Sequence, residues 1–200
     1  TDFLAPGVLA QSVLFVAIFY GIAAIWERDL GIVHRYLVSP ASRTALILGK
    51  QMSAGIRGLS QAVIIYIIAL LMGLGISFNV VNILGVITLI VLGAALFSTL
   101  SLIIACIVRT RERFMGIGQV VTMPIFFASN SIYPLEIMPR WLKIIALINP
   151  LTYEVDGLRM LMLRTATIHP AGLVLDFSVL FVGASVLLIV ASRLYPRMGA

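Results

Sequence analysis

No Lys, Arg, Asp or Glu occurs between Arg57 and Arg109. Half a hundred residues without charge cannot be covered by the rest of a 200-residue chain in water. A polar break at Ser77-Phe78-Asn79 divides the stretch into two runs, about 55–75 and 83–108. Each is long enough to cross about 30 Å of hydrocarbon as a helix rising 1.5 Å per residue. Helix is the form that closes its own backbone hydrogen bonds inside lipid. Runs of the same kind lie at about 7–26, 114–133 and 173–191. The chain is therefore expected to be an all-α polytopic membrane protein, one transmembrane domain over residues 1–200 with five spans. The composition agrees, with 61% hydrophobic residues, 11% charged and a mean hydropathy of +1.11.

The formal net charge of +6 does not point to nucleic acid, because the bases stand beside the spans and no basic groove or finger motif accompanies them. Segments 27–57, 109–113 and the tail from 193 carry ten Lys and Arg, against four in 134–172. That asymmetry predicts the first set in the cytoplasm, with the carboxyl terminus inside and the amino terminus outside. The chain starts Thr1-Asp2 with no signal-like segment, so an exported amino end predicts one further span ahead of it.

Polarity is concentrated in two segments. ERDLGIVHRYLVSPASR, residues 27–43, follows Trp26, which is placed to anchor the first span at the interface. Within it Leu30, Val33 and Leu37 fall on one stripe of a short helix, with Asp29 and Arg35 off it. Ser39-Pro40 stops that helix and Ser42 caps the next. By spacing alone such a helix either lies on lipid or serves as a handle for a soluble partner.

The second segment is SIYPLEIMPRWLKIIALINPLTYEVDGLR, residues 131–159. Pro134, Pro139 and Pro150 break it into short pieces. A helix over about 139–148 carries Trp141, Leu142, Ile144, Ile145 and Ile148 on an apolar face, with Arg140 and Lys143 to one side. It is expected in the membrane interface, anchored by Trp141. Asn149-Pro150 starts another helix, an N-cap acceptor followed by a residue without an N–H to satisfy. Asp156 and Arg159 sit at i,i+3 spacing on it, near Glu154. They form either a solvated surface pair or a buried one.

Catalytic chemistry is not indicated. There is no G-x-x-x-x-G-K-[ST], and Gly49-Lys50 lacks both the preceding glycine and the following hydroxyl. No H-E-x-x-H occurs, and His34 and His169 fall on opposite sides of the predicted membrane, so no metal set is expected. Cys106 stands alone in an apolar run and reads as a packing residue. No acid or base lies near the middle of a span, which argues against an ion-coupled transporter and an intramembrane hydrolase. Asp176 lies near the outer end of the last span.

Three stretches carry a family likeness: FLAPGVLAQ (3–11), WERDLGIVHRYLVSPASRTALILGK (26–50) and YPLEIMPRWLKIIALINPLTYEVDGLR (133–159). With the intervening spans the chain resembles the permease of ATP-binding-cassette (ABC) exporters of the type-2 class, which includes bacterial drug-resistance permeases. The resemblance implies six spans, of which the first is absent here. It implies a second permease copy around a central path, in a bacterial or archaeal cell membrane. It also implies separate ABC ATPase subunits, which would bind ATP and Mg; this chain would hold no cofactor. A coupling helix with Glu27, Arg28, Asp29, Leu30, Val33, His34, Arg35 and Leu37 would dock into the ATPase. The two outer helices would close the external end of the path, with Asn149, Pro150, Glu154, Asp156 and Arg159 forming the gate. The cargo would be a hydrophobic drug-like or lipid-like compound. Two rival readings are a permease of the same fold for a lipid-linked glycan, and a membrane anchor for an ATPase that transports nothing.

Overall fold

The computed structural model describes residues 3–38, 42–108, 110–164 and 169–198; within these, the side chains of Leu37, Arg197 and Met198 are not described. The order of elements is α1 (Leu4–Asp29), α2 (Ile32–Val38), α3 (Arg43–Leu71), α4 (Val80–Ile107), α5 (Arg111–Phe127), α6 (Arg140–Ile148), α7 (Pro150–Met162) and α8 (Pro170–Leu194), closed by a 3-10 turn at Tyr195–Met198. Among the described residues the only β-type pairing is one isolated bridge, Ile76 to Leu163.

Among the described residues four helices, α1, α3, α4 and α8, are long and apolar enough to cross a membrane. The outward faces of α3 and α8 are apolar too, with Ile56, Val63, Ile67 and Leu71 on one and Val174, Phe181, Val186 and Ile189 on the other. That surface suits lipid and not water.

The fifth expected span, 114–133, differs. Helix α5 covers 17 residues and ends at Phe127, a length of about 26 Å. The cause lies in its last turn. Pro124 lacks an N–H, and Ser129 Oγ donates to Phe126 O at 2.7 Å while accepting from Ser131 N at 3.3 Å. These local bonds offer the backbone an alternative to continued helix. Residues 128–139 turn instead of completing a span.

Side-chain caps set several helix starts. Ser42 Oγ accepts from Ala45 N at 3.3 Å, Asn79 Oδ1 from Val81 N at 3.1 Å and Asn149 Oδ1 from Leu151 N at 3.0 Å.

Helix α4 is the hub, packing on α1, α3, α7 and α8. It carries no charge, and its small residues let neighbours approach. Ser101 Oγ donates to Ile18 O and accepts from Gly21 N at 3.0 Å, tying α1 to α4. Gln51 Nε2 donates to Thr99 Oγ1 at 2.6 Å, tying α3 to α4. Cys106 is a buried free thiol among apolar neighbours.

The crossing at Gly21 yields a prediction. A Cβ there would meet Ser101 Oγ and come within 2.6 Å of Phe114 Cε2, both fixed by packing. Gly21→Val should therefore push α1 off α4, costing about 1–3 kcal/mol or more. Gly55→Ala, whose Cβ would sit 3.4 Å from Val91 Cγ2, is the control. Heat-induced aggregation in detergent should start several degrees lower for Gly21→Val and near wild type for Gly55→Ala. Equal midpoints for Gly21→Val and wild type would disprove the tight crossing.

Candidate functional site

The two polar segments occupy opposite ends of the bundle. At one end α1 runs through Glu27, Arg28 and Asp29 before Gly31, at φ +71°, reverses the chain into α2. A left-handed residue at that turn favours glycine. Glu27 pairs with Lys50 of α3. Asp29 accepts from Arg111 of α5 at 2.8 Å, and the Arg111 guanidinium lies 5.1 Å from the Trp26 ring centroid. Arg28 donates to Val108 O at 3.2 Å and stands 3.7 Å from Asp29. The charged trio thus braces α1 against its neighbours in the chain itself.

The expected stripe of Leu30, Val33 and Leu37 needs correction. Leu30 lies in the turn before α2 and is 71% exposed, whereas Val33 is fully buried beside Ala24, Ile25, Ile47 and Ala105. A chain reversal between positions 30 and 33 removes them from a shared helical face. The face α2 presents outward carries His34, Arg35, Tyr36 and Val38. The Leu37 side chain, the Ser39-Pro40 stop and Arg109 fall outside the described residues.

At the other end α6 turns Trp141, Ile144, Ile145 and Ile148 outward and buries Ala146. An apolar exposed face beside Arg140 and Lys143 fits the membrane interface. The chain then reverses at Asn149, which does more than start α7. Its Nδ2 donates to Ile125 O at 2.6 Å and to Ala128 O at 3.2 Å, near the C-terminus of α5. One amide side chain satisfies orphan groups at two helix ends.

Helix α7 returns into the bundle against α1, α4 and α8. Leu151, Glu154, Val155, Leu158 and Met162 have no exposed surface. Its far end is strapped to the α3–α4 turn, with Ser77 N donating to Met162 O at 2.8 Å and Arg164 N to Gly75 O at 2.9 Å. Asp156 Oδ1 accepts from Arg159 at 3.2 Å, and their side chains are 36% and 17% exposed, so the pair is half-buried. Arg159 also donates to Asn130 O at 3.0 Å and stacks 3.8 Å from the Phe3 ring centroid. Asn130 Nδ2 donates to Asp156. Burial pushes the Asp156 carboxyl above its ordinary value, opposed by the Arg159 charge and the Asn130 bond.

Sequence reasoning grouped Asn149, Pro150, Glu154, Asp156 and Arg159. The structure puts Asn149 and Pro150 at the start of α7, Glu154 on its fully buried face against α4, and the Asp156–Arg159 pair on a half-buried face toward Asn130 and Phe3. Sequence reasoning missed Asn130, Phe3 and Asp176 as their neighbours. The Ser129-Asn130-Ser131 run was a visible signal; Phe3 left none. Asp176 of α8 is buried, with Oδ2 facing Gly157 of α7. Among the described residues no group of three His, Cys, Asp or Glu is placed to hold a metal ion.

A family model described as "ABC-2 type transporter" matches residues 1–163. The chain belongs to the ABC-2 type transporter family. Among its relatives, the putative transport permease ycf38 of Cyanophora paradoxa is 24% identical over 94% of this chain and 66% of its own length. The daunorubicin resistance ABC transporter permease protein DrrB1 of Streptomyces coeruleorubidus is 25% identical over 88% of this chain and 62% of its own. The probable multidrug ABC transporter permease YbhR of Escherichia coli K12 is 28% identical over 83% of this chain and 45% of its own. The chain thus spans about half to two thirds of the length of the relatives it matches. With four membrane-length helices, this ABC-2 chain is an integral membrane protein.

Proposed function

We propose that the chain is the transmembrane subunit of an ABC exporter, drawing on a separate ATPase to move a hydrophobic drug-like or lipid-like compound out of the cytoplasm. Two copies would pair around the path, in a bacterial or archaeal cell membrane. The partner subunits bind ATP and Mg and hydrolyse the nucleotide. The basic asymmetry supports an orientation with α2 and the end of α8 in the cytoplasm and α6 and α7 on the outer side. Relatives named for drug resistance support the substrate class.

The observation that carries this reading is the setting of α2. Val33 roots it in the same packed cluster as residues of α1, α3 and α4, while His34, Arg35, Tyr36 and Val38 face outward. A soluble subunit gripping that outer face would move the bundle as a packed unit, because close-packed interiors transmit displacement. Helix α4 connects that end to α7, the proposed outer gate, where Asn149, Pro150, Glu154, Asp156 and Arg159 sit.

The test uses the full-length protein coexpressed with a candidate ABC ATPase subunit. Arg35→Glu combined with Tyr36→Ala should lower ATPase copurification about tenfold, as expected when interface Arg and Tyr residues worth over ~1.4 kcal/mol are lost. Drug tolerance should fall in step at unchanged membrane abundance. Arg140→Glu, at the opposite end, should leave copurification intact. Wild-type copurification by the double variant would remove α2 from the dock.

A further inference from the structure

Glu154 has no exposed surface, and neither of its carboxyl oxygens has a hydrogen-bond partner. It lies in the seam between α7 and α4, which runs antiparallel through three contacts: Leu161 on Gly85, Gly157 on Leu89 and Glu154 on Gly93. At Gly93 a Cβ would overlap the Glu154 carboxyl, so the missing side chain is what makes room for the acid head.

Among the described residues no cation pairs with this carboxyl. Helix α4 carries no charged residue. On α7 itself Asp156 and Arg159 are paired with each other. From α8 the group facing α7 is Asp176, at Gly157. The charges of α1 sit on its last turn and those of α5 on its first, both at the other end of the bundle. Arg140 and Lys143 of α6 and Glu136 of the preceding turn are exposed. An ionised carboxylate stripped of water, cation and N–H donors is far less favourable than the neutral acid. Burial accordingly pushes the Glu154 carboxyl well above its ordinary 4.5.

We propose that Glu154 is a positioning residue that seats α7 on α4 as a neutral carboxylic acid, so that breaking its O–H bond and passing the proton to water drives α7 away. This rests on the reading of α7 as the outer gate and adds a proton to its control. The sign follows from linkage. Above the ordinary 4.5 the released form ionises while the docked form keeps its proton. The ratio of docked to released α7 then falls up to tenfold per pH unit until the docked acid also ionises.

The experiment uses full-length protein in lipid nanodiscs, wild type and Glu154→Gln, an uncharged side chain of nearly the same shape. Infrared spectroscopy at neutral pH should show the carbonyl stretch of a protonated carboxylic acid in wild type that Glu154→Gln lacks. Melting midpoints taken from about pH 5 to about pH 9 should fall with rising pH in wild type and run flatter in Glu154→Gln. Asp176 is present in both proteins, so its titration cancels in the difference. Absence of that band in wild type, or parallel pH slopes for the two proteins, would overturn the proposal. Should Glu154→Gln fail to insert, the spectrum of Asp176→Asn, which lacks the buried carboxyl of α8, decides by the presence or absence of the band. Neither readout involves transport. Loss of the gate reading, seen as normal export by α7 variants, is thus distinguishable from loss of this one.

Discussion

Export per transporter is expected to fall at least tenfold when Arg159 is replaced by Gln, and clearly less when Asp156 is replaced by Asn. The asymmetry comes from what each side chain holds. Arg159 makes the ion pair with Asp156, donates to Asn130 O and stacks on Phe3. It thereby joins α7 to the turn after α5 and to the residue preceding α1. Asp156 makes the pair and accepts from Asn130. Breaking a buried pair costs about 3–5 kcal/mol when the other charge is stranded. Here Asp156 is 36% exposed, so water screens part of the loss, and about 1–3 kcal/mol is the better expectation. A tenfold effect needs about 1.4 kcal/mol, within that range. Asp156→Asn leaves Arg159 its carbonyl and its ring. Exchanging the pair, Asp156→Arg with Arg159→Asp, restores opposite charges but neither Asn130 nor Phe3 contact, so it should recover only a small part. The measurement is drug efflux at matched membrane abundance. Near-normal efflux by both single variants would take the gate role away from this pair.

The second large effect is expected at Val33. Val33→Asp places a carboxylate where the valine has no exposed surface and sits in an apolar cluster. An unpaired buried charge of this kind costs several kcal/mol. Helix α2 has seven residues, too few to persist without its packed face. It should therefore leave the bundle instead of dragging it open. Insertion should survive, because the long apolar helices α1, α3, α4 and α8 decide it. The expected phenotype is a protein of normal abundance that is cut readily by protease within 27–43, retains no ATPase and exports nothing. Val33→Ala should be intermediate, at a cost of about 1 kcal/mol. Leu30→Asp, at a position 71% exposed, should leave the protease pattern unchanged. Wild-type ATPase yield and wild-type protease resistance in Val33→Asp would show that α2 neither needs this anchor nor provides the dock.

Much of the architecture was legible because its causes are local. Uncharged runs name the long helices, since lipid leaves a backbone few other forms. Asn149-Pro150 names the start of α7, because a cap and a missing N–H act within one turn. The length of α5 was misjudged for a related reason. The uncharged run continues past Phe127, but Pro124 lacks an N–H and the Ser129 hydroxyl offers the backbone local bonds in place of another helical turn.

The sequence by itself determined that this is an all-α membrane protein, where its polar segments fall, and which short motif marks α7. Hydropathy, proline geometry and capping operate over a few neighbouring residues, so they can be read along the chain. Only the tertiary structure decided what the charges do. Glu27 meets a lysine 23 residues away and Asp29 an arginine 82 residues away. Arg159 meets a phenylalanine at the opposite end of the sequence, and Glu154 meets no partner at all. Charge and hydrogen-bond energies depend on distance in space and on the water left between the groups. Helix packing sets both, and position in the chain does not reveal them.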